Sequence, residues 1–233
     1  MNKAAHPNVY FTISEFPAPD AKMKKNDELD AIAFDAFGTL CKVTIPRKPF
    51  ALLFERLGLS GREAGHAAMT VNLDFPTLAR LFAKDKRVKL DDLQKMLREE
   101  LDSVRLYPET IEVLEDLRNK GYALAVISNL AKPYSEPVKR LLEPYVDVFV
   151  WSYEVAVAKP ERKIFATLCT RLDCLPMRVL MVGDTWEADV MGGSNFGMPT
   201  VLIDRHGKSD PALGSIQSLW ELTDLPERTF FRD

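Results

Sequence analysis

Five short, unbroken apolar runs constrain this chain more than any other feature. They are Ala31-Ile32-Ala33-Phe34, Tyr122 to Ile127, Val146 to Trp151, Val179 to Val182 and Thr200 to Ile203. A strand with one wet face alternates polar and apolar residues, whereas a strand covered on both faces does not. Helical patterns lie between the runs. Thr110 to Lys120 puts Ile111, Leu114 and Leu117 on one face and is closed by Gly121. Glu136 to Leu142, Pro160 to Leu172 and Trp186 to Phe196 follow. Strand alternating with helix predicts an α/β fold with a parallel sheet and right-handed crossovers.

One stretch interrupts the alternation. Between Pro46 and Leu106 no strand is expected. Phe50-Leu53-Phe54-Leu57, Leu78-Leu81-Phe82 and Leu93-Met96-Leu97-Leu101 have the spacing of helices packing on one another. The expected organisation is an N-terminal arm over 1–28, a core from 29–45 and 107–233, and a helical cap over 46–106. The cap is inserted directly after the first strand and its turn.

Bulk properties exclude several classes. The 31 basic and 34 acidic residues leave a net charge of −3, which gives no global field for nucleic acid or an anionic membrane. No apolar run is long enough to span a bilayer, and no basic-then-apolar signal pattern opens the chain, so a cytoplasmic location is expected. Cys41, Cys169 and Cys174 do not suggest a disulfide framework, and His6, His66 and His206 lack metal-ligand spacing. The oligomeric state is not legible.

Four strand ends carry chemistry. Asp35 closes the first apolar run and is followed by Gly38-Thr39, which places a carboxylate at the mouth of the sheet. Ser128 and Asn129 end the second run. Lys159 precedes Pro160, a residue suited to a helix's first turn. A cation at that positive helix end is better explained if an anion lies nearby. Gly183-Asp184 follows the fourth run, with Asp189 on the next turn. Converging carboxylates repel unless a cation joins them, and oxygen ligands suit Mg²⁺.

A carboxylate, a hydroxyl, an ammonium and an acidic pair in this order resemble the four motifs of the haloacid dehalogenase (HAD) superfamily. The resemblance spans about residues 29–205 and implies a Rossmann-like core bearing a cap. It implies that Asp35 is the nucleophile and forms a covalent aspartyl intermediate. Thr39 would orient the bound group. Ser128, with Asn129, would bind the phosphoryl oxygens, and Lys159 would neutralise charge on nucleophile and substrate. Asp35, the carbonyl of Phe37, Asp184 and Asp189 would hold Mg²⁺. The partner would be a small-molecule substrate.

One departure matters. HAD phosphatases usually carry a general-acid Asp two residues after the nucleophile, where this chain has Phe37. Loss of a general acid typically costs ~10²–10⁴-fold. Acyl and aryl phosphates, which leave without help, would suffer least. Haloacid dehalogenases also have an aromatic residue there, but they are metal-free, with Ser-Ser-Asn in place of Gly183-Asp184-Thr185, and carry Tyr where this chain has Phe165. They also use a cap Arg, for which Arg47, Arg56 and Arg62 are candidates. Three readings therefore stand: a Mg²⁺-dependent phosphohydrolase, a 2-haloacid dehalogenase, and a weak phosphate-binding relic. Phosphonate cleavage through Lys48 is a minor fourth. Cys41, next to the first motif, reads as a small packed hydrophobe.

Overall fold

In a computed structural model of the chain, residues 29–84, 88–209 and 215–224 are described, so the expected arm over 1–28 lies outside them. Strand β1 (Ala31–Phe34) runs into a tight loop and β2 (Cys41–Val43). Helices α1 (Pro49–Leu57), α2 (Gly61–Thr70), α3 (Phe75–Ala83) and α4 (Asp91–Asp102) follow, and the chain returns along β3 (Val104–Leu106), antiparallel to β2. Then come α5 (Thr110–Asn119), β4 (Ala123–Ser128), α6 (Ser135–Leu142), β5 (Val148–Trp151), a short α7 (Ser152–Val155) and α8 (Arg162–Leu172). Strand β6 (Val179–Gly183), a π-helical turn over Trp186–Met191, α9 (Gly192–Phe196), β7 (Thr200–Leu202) and α10 (Glu221–Asp224) complete the order.

All five apolar runs become strands of one parallel sheet, ordered β5-β4-β1-β6-β7. Both faces are covered, which is why the runs do not alternate. Ile32, Phe34, Leu124, Val126, Leu180 and Val182 face Leu114 and Val138 of α5 and α6. Ala31, Ala33, Ala125, Ile127, Val179 and Met181 face Ile164, Phe165 and Leu168 of α8. From β1 the chain adds strands first toward β5 and later toward β7, so β1 lies at the topological switch point. Open α/β sheets bind ligands there, outside the carboxyl ends of the strands.

The helices of the insertion bury a third cluster of their own, including Leu53, Phe54, Phe75, Leu78 and Leu93. It reaches the core through Ala131 and the half-buried Tyr134. Glu100 of α4 ties the junction: it accepts from the Lys48 amide at 2.6 Å and from the Tyr134 hydroxyl at 2.6 Å.

Three expectations need correction. The stretch between Pro46 and Leu106 does contain a strand at its end, because β3 pairs with β2 where the insertion leaves and re-enters the core. Three-residue strands carry no usable period. Helix α2 was not expected, since its buried face is only Ala64 and Ala68. Leu81 is not part of the packed face and is 55% exposed.

Candidate functional site

The loops after β1, β4 and β6 meet at one end of the sheet. Asp35, just past β1, is buried. The Ser128 hydroxyl at the end of β4 donates to its Oδ1 at 3.1 Å, and Lys159 Nζ donates to the same oxygen at 2.7 Å. Both donors thus grip one edge of the carboxylate. Lys159 also donates to Asp189 Oδ1 at 2.6 Å and to the Ile127 carbonyl at 2.8 Å. A buried ammonium with three acceptors is fully satisfied.

The local reason for Lys159's position differs from the sequence expectation. Helix α8 begins at Arg162 with Glu161 as its cap, so Pro160 is not in its first turn. The anions beside the ammonium are Asp35 and Asp189. Asn129 is likewise committed within the protein: its Oδ1 accepts from the Lys159 amide at 2.7 Å and its Nδ2 donates to the Lys159 carbonyl at 2.9 Å. The Asn129 side chain therefore fixes the stretch that carries Lys159.

Two glycines make room for carboxylates. Gly38 has φ +89°, and a Cβ there would lie 2.1 Å from Asp184 Oδ2. A Cβ at Gly183 would lie 2.3 Å from the Asp189 carboxyl carbon. Asp184 follows β6, while Asp189 sits in the π-helical turn and accepts from the Thr185 amide at 2.9 Å. Single π-turns of this kind are frequent at functional sites. Oxygens of Asp35, Asp184 and Asp189 lie within 4.8 Å of one another.

The electrostatics follow from crowding. Burial pushes Asp35 up to about 6; Lys159 opposes the shift and Asp189 adds to it. Burial and then Asp189 also raise Asp184. Burial disfavours the Lys159 charge, but Asp189 and Asp35 outweigh it and hold the ammonium charged. Thr39 is fully buried, and its hydroxyl has no hydrogen-bond partner among the described residues.

Phe37 is half-buried and meets the Tyr134 ring edge-on, with centroids 6.0 Å apart. The described basic residues of the insertion are committed to other partners or exposed. Arg47 pairs with Glu99 and Arg56 with Asp92, while Arg62, Lys48 and His66 are exposed. Cys41 is buried in the core, and burial raises its thiol well above the ordinary range. Phe165 is buried and stacks on Phe196.

Sequence reasoning missed Arg205. It follows β7 at the same end of the sheet. Its Nε donates to the Gly38 carbonyl at 3.1 Å and its Nη2 to the Thr39 carbonyl at 2.5 Å. Its Nη1 donates to Glu109 at 2.6 Å, and its guanidinium lies 3.5 Å from the Tyr107 ring centroid. Arg205 thereby clamps the loop that follows Asp35. Its only sequence signal is its place just past the fifth apolar run.

Comparisons with known proteins bear on the family and the fold. The family model described as haloacid dehalogenase-like hydrolase matches residues 29–197. The chain is 36% identical over 103 residues to a glyceraldehyde 3-phosphate phosphatase of Methanothermobacter thermautotrophicus, covering 43% of this chain and 46% of that protein. It is 28% identical over 225 residues to (S)-2-haloacid dehalogenase 4A of Burkholderia cepacia, covering 85% and 95%. The crystal structure of a HAD phosphatase from Thermococcus onnurineus superposes with a TM-score of 0.61 at 28% identity, covering 84% and 97%. The chain spans about half the length of the curated phosphatases that match it first, 46% of one and 58% of the next.

Proposed function

Because the chain belongs to the haloacid dehalogenase-like hydrolases, we propose that it is a Mg²⁺-dependent phosphohydrolase acting on a small phosphorylated metabolite. In this reading residues 46–106 form a cap over a core of 29–45 and 107–233. The observation that carries it is the approach of the Asp184 carboxylate to Asp35 and Asp189. Three carboxylates around one ammonium leave a net negative site, and a phosphate group adds more negative charge. Only a further cation resolves that.

The residues fit such a cation. The donors are all hard oxygens, and Gly38 leaves the space that the Asp184 carboxylate fills. Asp35, Asp184 and the Phe37 carbonyl would hold it. Asp189 spends one oxygen on Lys159 and the other on the Thr185 amide, so its main work is to place that ammonium. When bound, Mg²⁺ supplies charge neutralisation at the phosphoryl oxygens.

The remaining steps belong to the chain. An oxygen of Asp35 attacks phosphorus, the bond to the leaving oxygen breaks, and water later hydrolyses the aspartyl phosphate. Ser128 donates to a phosphoryl oxygen, Lys159 balances the charge that builds up, and the Thr39 hydroxyl, without a partner among the described residues, orients the transferred group. Phe37 donates no proton, so the leaving group departs unaided.

A dehalogenase reading is favoured by Phe37 and by the near full-length similarity to the Burkholderia enzyme. Asp184 opposes it, and so do Arg47 and Arg56, which are spent on Glu99 and Asp92. The test is p-nitrophenyl phosphate hydrolysis with Mg²⁺ and then with EDTA, by the wild type and Asp35→Asn. Turnover should require both Mg²⁺ and Asp35, with the variant slower by roughly 10⁴-fold or more. Halide release from short 2-haloacids in EDTA, with no phosphate release under any condition, would replace this reading with the dehalogenase.

A further inference from the structure

A cavity of about 280 Å³ lies between the helical insertion and the core. Phe50 and Phe54 of α1 and Ala68 of α2 wall one side, while Phe37, Leu130 and Tyr134 wall the other. Its wall is continuous in the chain with the reactive group. Phe37 is two residues past Asp35, and Asn129, also in the wall, follows the Ser128 that donates to Asp35.

The polar side chains of this wall are Asn129 and Tyr134, and each is already engaged within the protein. The Asn129 amide is bonded at both ends to the Lys159 backbone, and the Tyr134 hydroxyl donates to Glu100. Among the described residues, none that lines it is charged. The wall is instead a group of rings. Phe50 lies 5.8 Å from Tyr134 and 4.9 Å from Phe75 between centroids, and Tyr134 meets Phe37 edge-on. A second phosphate or a polyhydroxylated chain would lose its water here against an uncharged, mostly apolar wall, which is costly. An aromatic ring would find edge and face contacts.

We infer that this cavity receives the leaving group of the substrate, and that the substrates are aryl phosphate monoesters. The inference rests on the phosphohydrolase reading and narrows it. Two separate features agree. The described wall is almost wholly apolar and ring-lined, and the position beside the nucleophile offers no proton. The bond formed is from Asp35 oxygen to phosphorus. The bond broken is from phosphorus to the aryl oxygen, which leaves as a phenoxide with the electron pair and takes its proton from water. Water then cleaves the aspartyl phosphate, releasing inorganic phosphate and restoring Asp35.

The test compares kcat/KM, with Mg²⁺, for 2-naphthyl phosphate, phenyl phosphate, glyceraldehyde 3-phosphate and acetyl phosphate. Phenol and naphthol leave with similar ease, so their difference reports the cavity. 2-Naphthyl phosphate should exceed phenyl phosphate and glyceraldehyde 3-phosphate by about tenfold or more. Gly65 also lines the cavity, and a Cβ there meets nothing within 4 Å. Gly65→Leu should therefore fold, and should bring the naphthyl-to-phenyl ratio down to about one. Ala68→Leu narrows the same space and should act in the same direction. Acetyl phosphate, which has a good leaving group and no ring, separates the two readings. If it is hydrolysed but naphthyl shows no advantage, or the advantage survives in Gly65→Leu, the inference is wrong and the phosphohydrolase stands. If no phosphate compound is hydrolysed, both fall.

Discussion

Two regions face each other across the mouth of the sheet, and opposite physics builds them. On the core side, Lys159 is gripped by Asp35, Asp189 and the Ile127 carbonyl, and Asp189 is gripped in turn by the Thr185 amide. On the insertion side, Phe50 and Phe54 pack ring on ring, and Phe50 packs on Tyr134 of the core. Hydrogen bonds between buried charges are directional, and an unmatched partner is expensive. Apolar packing tolerates substitution so long as volume and pattern are kept. The first region therefore fixes a reaction within narrow limits. The second can change in shape without disturbing the first.

The comparison breaks most readily at Lys159. Lys159→Met leaves Asp35 and Asp189 buried together without their cation. The expected cost is about 3–5 kcal/mol, as for other broken buried ion pairs. Urea unfolding with and without Mg²⁺ checks it, and Mg²⁺ should recover part of the loss by neutralising the same carboxylates. An unchanged midpoint would mean that the ammonium does not hold the site together.

Arg205 sharpens the contrast, because it is a directional contact in service of a loop. Arg205→Gln removes the ion pair with Glu109 and leaves that buried carboxylate alone, at an expected cost of about 2–3 kcal/mol once partial exposure is allowed for. The pH dependence distinguishes this from lost packing. Burial, the largest influence, would raise Glu109, but the Arg205 hydrogen bond and charge, together with backbone hydrogen bonds, hold the carboxyl below its ordinary value. A depressed carboxylate contributes stability above the ordinary glutamate range and loses it as pH falls through the depressed value. Wild type should therefore lose more stability on acidification than Arg205→Gln, with the two curves converging at low pH. Parallel curves would show that the guanidinium acts by bulk.

The two regions also differ in how far the sequence reveals them. Asp35, Ser128 and Asp184 were legible because each ends or follows an apolar run, and the carboxyl ends of parallel strands converge by geometry. Lys159 and Asp189 were legible only through their order relative to those three. Arg205 was not, because its partners Gly38 and Thr39 lie 167 and 166 residues earlier and no local pattern links them. The insertion was legible as helices wherever Phe and Leu set the period. It was not legible at α2, whose buried face is two alanines, or at β2 and β3, which are too short to show one. The cavity left no periodic trace, since Phe37, Ala68 and Tyr134 come from three separate segments.

The smallest expected effect concerns two leucines on α3. Both fit helical spacing in the sequence, yet Leu78 is 1% exposed and Leu81 is 55% exposed. At about 100° per residue, Phe75, Leu78, Ala79 and Ala83 form one stripe, and Leu81 falls more than a quarter-turn from its centre. Leu81→Gln should therefore change stability by no more than about 0.5 kcal/mol. Leu78→Ala, by contrast, removes buried methyls and should cost about 2–5 kcal/mol. Denaturant midpoints of the two variants decide the matter. A costly Leu81→Gln would mean that Leu81 is covered in solution, and that the packed face of the insertion is wider than the stripe through Leu78.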